Sequence, residues 1–146
     1  MIAYLDTSAL IKRYVAERGS HETIELTADA EVVATSIVSR AEVAAALAKA
    51  SRVRLLTPAA ARKAQRSFAA EWTDLARILV SEAVVKRAES LAWEHALRGH
   101  DAVHLASALF WQESMDGATV FATFDRRLWK AAQDAGMSSW PDDLQG

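Results

Sequence analysis

A chain of 146 residues is long enough for one well-buried core and too short for two ordinary domains, so a single domain over residues 1–146 is expected. With 51% hydrophobic and 25% charged residues and only 5 Gly and 2 Pro, the composition excludes a disordered chain and favours helix. The absence of cysteine excludes disulfides and thiolate zinc sites, and a formal charge of −2 argues against the broad basic surface of an architectural nucleic-acid binder.

Ile2 to Leu5 is a short apolar strand that ends at Asp6, and Ala9 to Val15 continues as helix. The start has no basic leader, and no stretch reaches the ~18 apolar residues of a membrane span, so the expected location is the cytoplasm, without a membrane partner. Ser20 begins a helix to about Ala28, Glu31 to Thr35 is the next strand, and an alanine-rich helix runs from Ser36 or Ser39 to about Ala50, with Glu42 in its first turns. Thr57-Pro58 is a helix start, hydroxyl at the cap and proline in the first turn, for a helix to about Asp74. The stretch from Glu42 to Glu71 contains no other acid but carries Lys49, Arg52, Arg54, Arg62, Lys63 and Arg66, either a solvated helix face or a surface for phosphates.

Arg77 to Val80 reads as a strand, Ser81 caps a helix to about Leu97, and Gly99 is expected to end it. A further helix starts near Asp101, with Val103, Leu105, Ala106, Leu109 and Phe110 as the stripe that packs on the sheet. After a turn at Asp116-Gly117 come a buried strand, Ala118 to Thr123, a helix from Arg126 to Ala135 opened by Asp125 and closed by Gly136, and an edge strand from Met137 to Trp140. Strands alternating with helices imply right-handed crossovers and a three-layer α/β/α domain around a mostly parallel sheet of four to five strands.

In such a sheet the carboxyl ends of the strands gather along one edge, where ligands bind. Asp6 and Asp125 follow strands, and Glu42 and Asp101 lie early in helices, so all four acids are expected at that edge. Each alone has a local explanation: Asp6, Asp101 and Asp125 as helix caps or first-turn acids, and Glu42 as the acid of a capping box in Ser39-Arg40-Ala41-Glu42. Caps do not explain the pattern, since other helices start at Ser20, Thr57 and Ser81 without an acid. Four carboxylates at one edge repel unless a hard cation joins them, and Mg²⁺ or Mn²⁺ with oxygen ligands is the ion that phosphodiester hydrolysis uses. Thr7, Ser8 and Thr123 stand beside the acids as candidates to hold a carboxylate or a water.

At these segments the chain resembles the PIN-domain nucleases, and within them the VapC-like toxins of type II toxin–antitoxin modules. The matching stretches are Tyr4 to Leu10, Arg40 to Val43, His100 to Ala106 and Thr123 to Leu128, in order and across nearly the whole chain. The resemblance implies a Mg²⁺- or Mn²⁺-dependent endoribonuclease that acts on RNA through Asp6, Glu42, Asp101 and Asp125, forms a homodimer and is inhibited by a cognate antitoxin. Arg126 and Arg127 stand where such proteins often carry one further acid or amide. An aspartyl phosphatase using Asp6 as nucleophile is disfavoured because position 8 is Ser, which breaks the D-x-D pattern. The remaining alternative is a catalytically silent PIN-like module that binds RNA or protein.

Arg40 and Arg98 are candidates for RNA phosphate, against the ordinary role of a solvated arginine at a helix end. His104, three residues after Asp101, is expected as a packed, hydrogen-bonded side chain. The tryptophans Trp72, Trp93, Trp111 and Trp129 are expected in the core or at a dimer or antitoxin surface rather than as stacking platforms. The alanine-rich helix from Val43 and the following helix with Ala59, Ala60, Ala61 and Phe68 are a candidate groove for a partner helix.

Overall fold

The computed structural model describes residues 1–144. Five strands, β1 (Ile2–Leu5), β2 (Val32–Ser36), β3 (Ala76–Ile78), β4 (Thr119–Ala122) and β5 (Ser138–Trp140), form one sheet in the order β3-β2-β1-β4-β5 with every pairing parallel. Seven helices cover it: α1 (Thr7–Leu10), α2 (Ser20–Asp29), α3 (Ser39–Arg52), α4 (Pro58–Glu71), α5 (Glu82–His95), α6 (Gly99–Ser114) and α7 (Arg126–Asp134). Short 3₁₀ turns extend α1 through Ile11–Arg13 and α4 through Trp72–Asp74. This is the three-layer α/β/α arrangement expected from the alternation of elements. No helix among the described residues is long and apolar enough to cross a membrane.

β1 lies at the centre and is buried on both faces, which is why Ile2 to Leu5 is an unbroken apolar run. Its alternate side chains feed two cores. Tyr4 joins Phe121 and the inner faces of α5, α6 and α7, whereas Ala3 and Leu5 join Leu10, Val43, Leu47, Ala61, Phe68 and Trp72 on the other side. The register pairs Tyr4 with Phe121 and Leu5 with Ala122, so the Tyr4 and Phe121 rings stack with centroids 5.5 Å apart, and Asp6 and Thr123 leave the sheet side by side. The chain moves from β1 outward to β2 and β3, then crosses to β4 on the other flank of β1. The sheet therefore changes direction between β1 and β4, where parallel sheets open a ligand crevice.

Several local expectations need correction. Gly99 does not end α5; Ala96 takes the left-handed conformation (φ 52°) after His95, and Gly99 is the first residue of α6. The box at Ser39 does not form, because Val38 is the N-cap and the Ser39 hydroxyl lies 2.7 Å from the Thr35 hydroxyl inside the core. Phe110 is exposed, because the buried arc of α6 runs through Asp101, Ala102, Leu105, Ala108 and Leu109 and turns it outward. The strand expected from Arg77 to Val80 is shifted to Ala76–Ile78. Of the tryptophans expected in the core or at a partner surface, Trp72 is buried and Trp93 is 87% exposed on the outer side of α5.

Gly19, the residue before α2, has φ +90°, and a Cβ there would lie 2.8 Å from the Phe124 ring. Gly136 has a similar φ of +92° but open space around it. Gly136→Ala is expected to cost about 1–2 kcal/mol for the left-handed backbone alone. Gly19→Ala is expected to cost measurably more, because the Phe124 ring must also move. Urea unfolding of the two variants side by side measures the difference, and equal losses would show that Phe124 yields freely.

Candidate active site

One cleft of about 300 Å³ is lined by Asp6, Thr7, Ser8, Glu42, Ala45, Arg98, His100, Asp101, His104 and Asp125. Larger concavities elsewhere gather fewer carboxylates. The four acids named from sequence thus share one lining. Asp6 follows β1 and Asp125 follows β4, on the two sides of the crevice, while Glu42 and Asp101 come from the first turns of α3 and α6.

Asp6 is the buried anchor. As N-cap of α1 its Oδ1 accepts from the Ala9 amide (3.0 Å) and the Ser8 hydroxyl (2.7 Å), and its Oδ2 accepts from the Thr123 hydroxyl (2.6 Å). The β1–β4 register delivers the Thr123 bond. Thr123 Oγ1 in turn accepts from the Asp125 amide at 3.0 Å, and Ser8 Oγ accepts from the Phe124 amide at 2.9 Å, so the loop after β4 is fastened to the loop after β1. Ser8 and Thr123 thereby occupy the carboxylate-holding position expected of them.

Burial pushes the Asp6 carboxyl above its ordinary range, against the opposing charge of His104 and the hydrogen bonds from Thr123, Ser8 and the Ala9 amide. For Glu42, half-buried, desolvation would also act upward. It is outweighed by the hydrogen bond and charge of His104 and by the Thr7 hydroxyl, so Glu42 sits below the usual carboxylate range.

His104 is the packed, hydrogen-bonded side chain expected, but its partners were not legible in the sequence. It is 1% exposed, with Nε2 2.6 Å from Glu42 Oε1 and Nδ1 2.9 Å from the Tyr4 hydroxyl. The Nε2 N–H donates to the Glu42 carboxylate, while Nδ1 meets the Tyr4 hydroxyl, which burial keeps in its phenol form. Thr7 Oγ1 donates to the same Glu42 oxygen at 2.9 Å. Glu42 is thus held by His104 and Thr7 rather than bonded back to a helix cap. The only hint in sequence is the three-residue spacing of Asp101 and His104, which puts both on one helix face.

Asp101 is buried at the start of α6, and Asp125 caps α7 through Oδ1 and the Leu128 amide at 2.9 Å. Arg98 joins them: Nε donates to Asp101 Oδ2 at 2.9 Å and Nη2 to Asp125 Oδ2 at 3.3 Å. His100 Nε2 lies 3.5 Å from Asp101 Oδ1. Arg40 is not part of this lining; its guanidinium stands 5.7 Å from the centre of the Trp72 ring. Arg127 is also spoken for, donating to the Ala96 carbonyl at 3.1 Å.

In kind, the donor set fits a hard divalent cation: four carboxylates in one cleft, with Glu42 Oε2 free of hydrogen bonds among the described residues and Asp6 Oδ2 carrying a single one. In arrangement, no three His, Asp or Glu side chains among the described residues are placed to hold one ion. His104 draws Glu42 to one side and Arg98 ties Asp101 to Asp125. Binding would therefore require side-chain rotation within the cleft.

Comparison with known proteins shows the family and the fold. The PIN domain family model matches residues 3–134, and the chain belongs to the PIN-domain family. It is 37% identical over 143 residues to Ribonuclease VapC45 and to Ribonuclease VapC49, from two strains of Mycobacterium tuberculosis, covering 98% of this chain and 97% of each relative. The fold matches the crystal structure of VapBC2 from Rickettsia felis bound to a promoter DNA fragment, with TM-score 0.66, 16% identity and coverage of 96% of this chain and 99% of that one. VapBC-5 from Mycobacterium tuberculosis gives TM-score 0.60 at 20% identity, covering 94% of both chains.

The raised Asp6 carboxyl has a stability consequence in the metal-free protein. A folded-state value above the unfolded one means that the folded chain holds the proton more tightly. That stability is fully present below the unfolded value and is lost as pH rises through the folded one, so at pH 7 the charged Asp6 costs stability. Asp6→Asn is expected to stabilise the chelated protein by about 1 kcal/mol, the usual gain when a strained functional group is relieved. Melting in EDTA should rise by about 2–4 °C at pH 7 and the gap should shrink in mild acid. A lower melting point at pH 7 would mean that the three hydrogen bonds to Asp6 outweigh its burial.

Proposed function

We propose that this protein is a Mg²⁺- or Mn²⁺-dependent endoribonuclease, the toxin of a toxin–antitoxin pair, acting as a single PIN-like domain in the cytoplasm. The observation that carries the reading is the gathering of Asp6, Glu42, Asp101 and Asp125 in one cleft at the carboxyl edge of the sheet. Two proteins named ribonucleases, similar over nearly the full chain, support RNA as the substrate.

A divalent ion bound by these carboxylates would supply an activated water and neutralise charge growing on the phosphoryl oxygens. The chain's own part is positional. Asp6 is fixed by three donors from two loops, so its orientation does not depend on the ion. Glu42, kept anionic by His104 and Thr7, is suited to ligation or to orienting water rather than to storing a proton. Asp101 and Asp125 close the other side of the cleft. Arg98 at the rim is the cation placed to meet a substrate phosphate.

Purified chain with RNA in Mg²⁺ or Mn²⁺ is expected to give discrete products that EDTA abolishes and DNA does not replace. Asp6→Asn should slow cleavage by roughly 100-fold or more, as loss of a ligand or its support does at metal sites. Since that variant is expected to be the more stable of the two, lost activity would not reflect unfolding. No cleavage and no detectable metal binding, with the antitoxin shown absent, would instead favour the silent binding module.

The same reading includes a homodimer and a cognate antitoxin, supported by fold neighbours that are VapBC toxin–antitoxin assemblies. The α3–α4 hairpin is the surface we assign to the antitoxin. Its turn exposes Val53 and Leu55, the latter 79% exposed, and its six cations are exposed and form no ion pair among the described residues. Crosslinks from the antitoxin are expected within residues 43–72, and a crosslink map that misses this stretch would remove the assignment.

A further inference from the structure

Arg98 occupies an unusual place for an exposed arginine. It is the N-cap residue of α6 in extended conformation, contributes no side-chain cap, and is 64% exposed. Yet both ends of its guanidinium are engaged, and by two acids from different elements: Asp101 within α6 and Asp125 at the start of α7. Among the described residues it is the only side chain that joins those two carboxylates. A guanidinium satisfies both because its donors form a rigid planar fork; an ammonium is a compact charge on a flexible stem and does not span them in the same way.

We propose that Arg98 is an internal counter-cation that competes with the divalent metal ion for Asp101 and Asp125. This rests on the metal-dependent reading of the cleft given above. The ion and the guanidinium draw on the same two carboxylates, and their like charges oppose each other at contact distance. While the guanidinium stays, it offsets part of the charge of the two acids and holds them to each other. When the ion takes them, the guanidinium must leave. Departure is inexpensive because the Arg98 side chain is itself largely exposed and the ion replaces its charge beside the buried Asp101, so Arg98 tunes the metal concentration at which the site assembles rather than blocking it. Released, the same fork stands at the mouth of the cleft as a donor for a phosphate.

The test is Mn²⁺ binding by the full chain, followed by calorimetry and by the electron paramagnetic resonance signal of free Mn²⁺, with no substrate present. Arg98→Ala is expected to bind Mn²⁺ about five-fold more tightly, the effect of removing one exposed ion pair of ordinary strength. Arg98→Lys should fall between Ala and wild type, and it serves if the Ala variant fails to fold. Arg87→Ala is the control, because Arg87 makes a bidentate pair with Glu113 (2.8 and 2.7 Å) outside the cleft, and its Mn²⁺ affinity should equal that of wild type. In EDTA at low salt, Arg98→Ala should melt below wild type, and saturating Mn²⁺ should erase that difference. Wild type that binds Mn²⁺ while Arg98→Ala binds no tighter, or more weakly, would overturn the competition and leave the nuclease reading standing. No Mn²⁺ binding by any of the proteins would overturn both.

Discussion

Everything at this site depends on one costly placement, a carboxylate buried at the end of the central strand. Asp6 cannot avoid that position, because β1 is covered on both faces and its next residue emerges between the two halves of the sheet. Water is replaced by three hydrogen-bond donors, and these come from the α1 backbone, from Ser8 and from Thr123 across the β1–β4 pairing. The donors do not fully offset the lost solvation, which is why burial still pushes the carboxyl up. A protein that stored such a group only for packing would do better with an amide. Its presence at this edge marks a functional site rather than a packing position.

The remaining acids arrive at that point by backbone geometry, each with a cationic or neutral donor already attached. Glu42 has His104 and Thr7, and Asp101 and Asp125 share Arg98. Part of the carboxylate charge is thus offset by side chains of the same cleft. His104 does this from full burial, where its ring is locked between Tyr4 and Glu42, and the stack of Tyr4 on Phe121 ties that lock to the core. Packing of the sheet and orientation of a carboxylate are the same set of contacts.

How much of this could be read from sequence follows from the range of each signal. The helix starts at Thr57-Pro58 and Ser81 are local, and both hydroxyls do accept from the amide three residues on. The acids at strand and helix ends were legible for the same reason, since alternation alone places them on one edge. What failed also failed locally: Ser39-Arg40-Ala41-Glu42 looks like a capping box, but the Ser39 hydroxyl is claimed by Thr35 and the glutamate by His104, 62 residues away. Gly99 looked like a terminator because glycine tolerates left-handed backbone, yet Ala96 accepts that conformation earlier and Gly99 opens the next helix. Phe110 was one helical step beyond the arc that packs. Strand order was out of reach, because a run of crossovers does not say on which flank of β1 the fourth strand lands.

Arg40 and Arg98 show the same limit from opposite sides. Both stand at helix starts near an acid, and nothing within four residues tells them apart. In the folded chain Arg40 turns over the ring of Trp72, whereas Arg98 enters the cleft and bridges two carboxylates. The deciding factor is the loop after β4, which is fastened to Ser8 and Thr123 and so brings Asp125 within reach of α6. The hydrogen bonds that hold Asp6 therefore also set the distance Arg98 has to span. A substitution that loosens Thr123 would disturb Asp6 directly and the Arg98 bridge through Asp125, which couples the buried anchor of the site to the exposed cation at its rim.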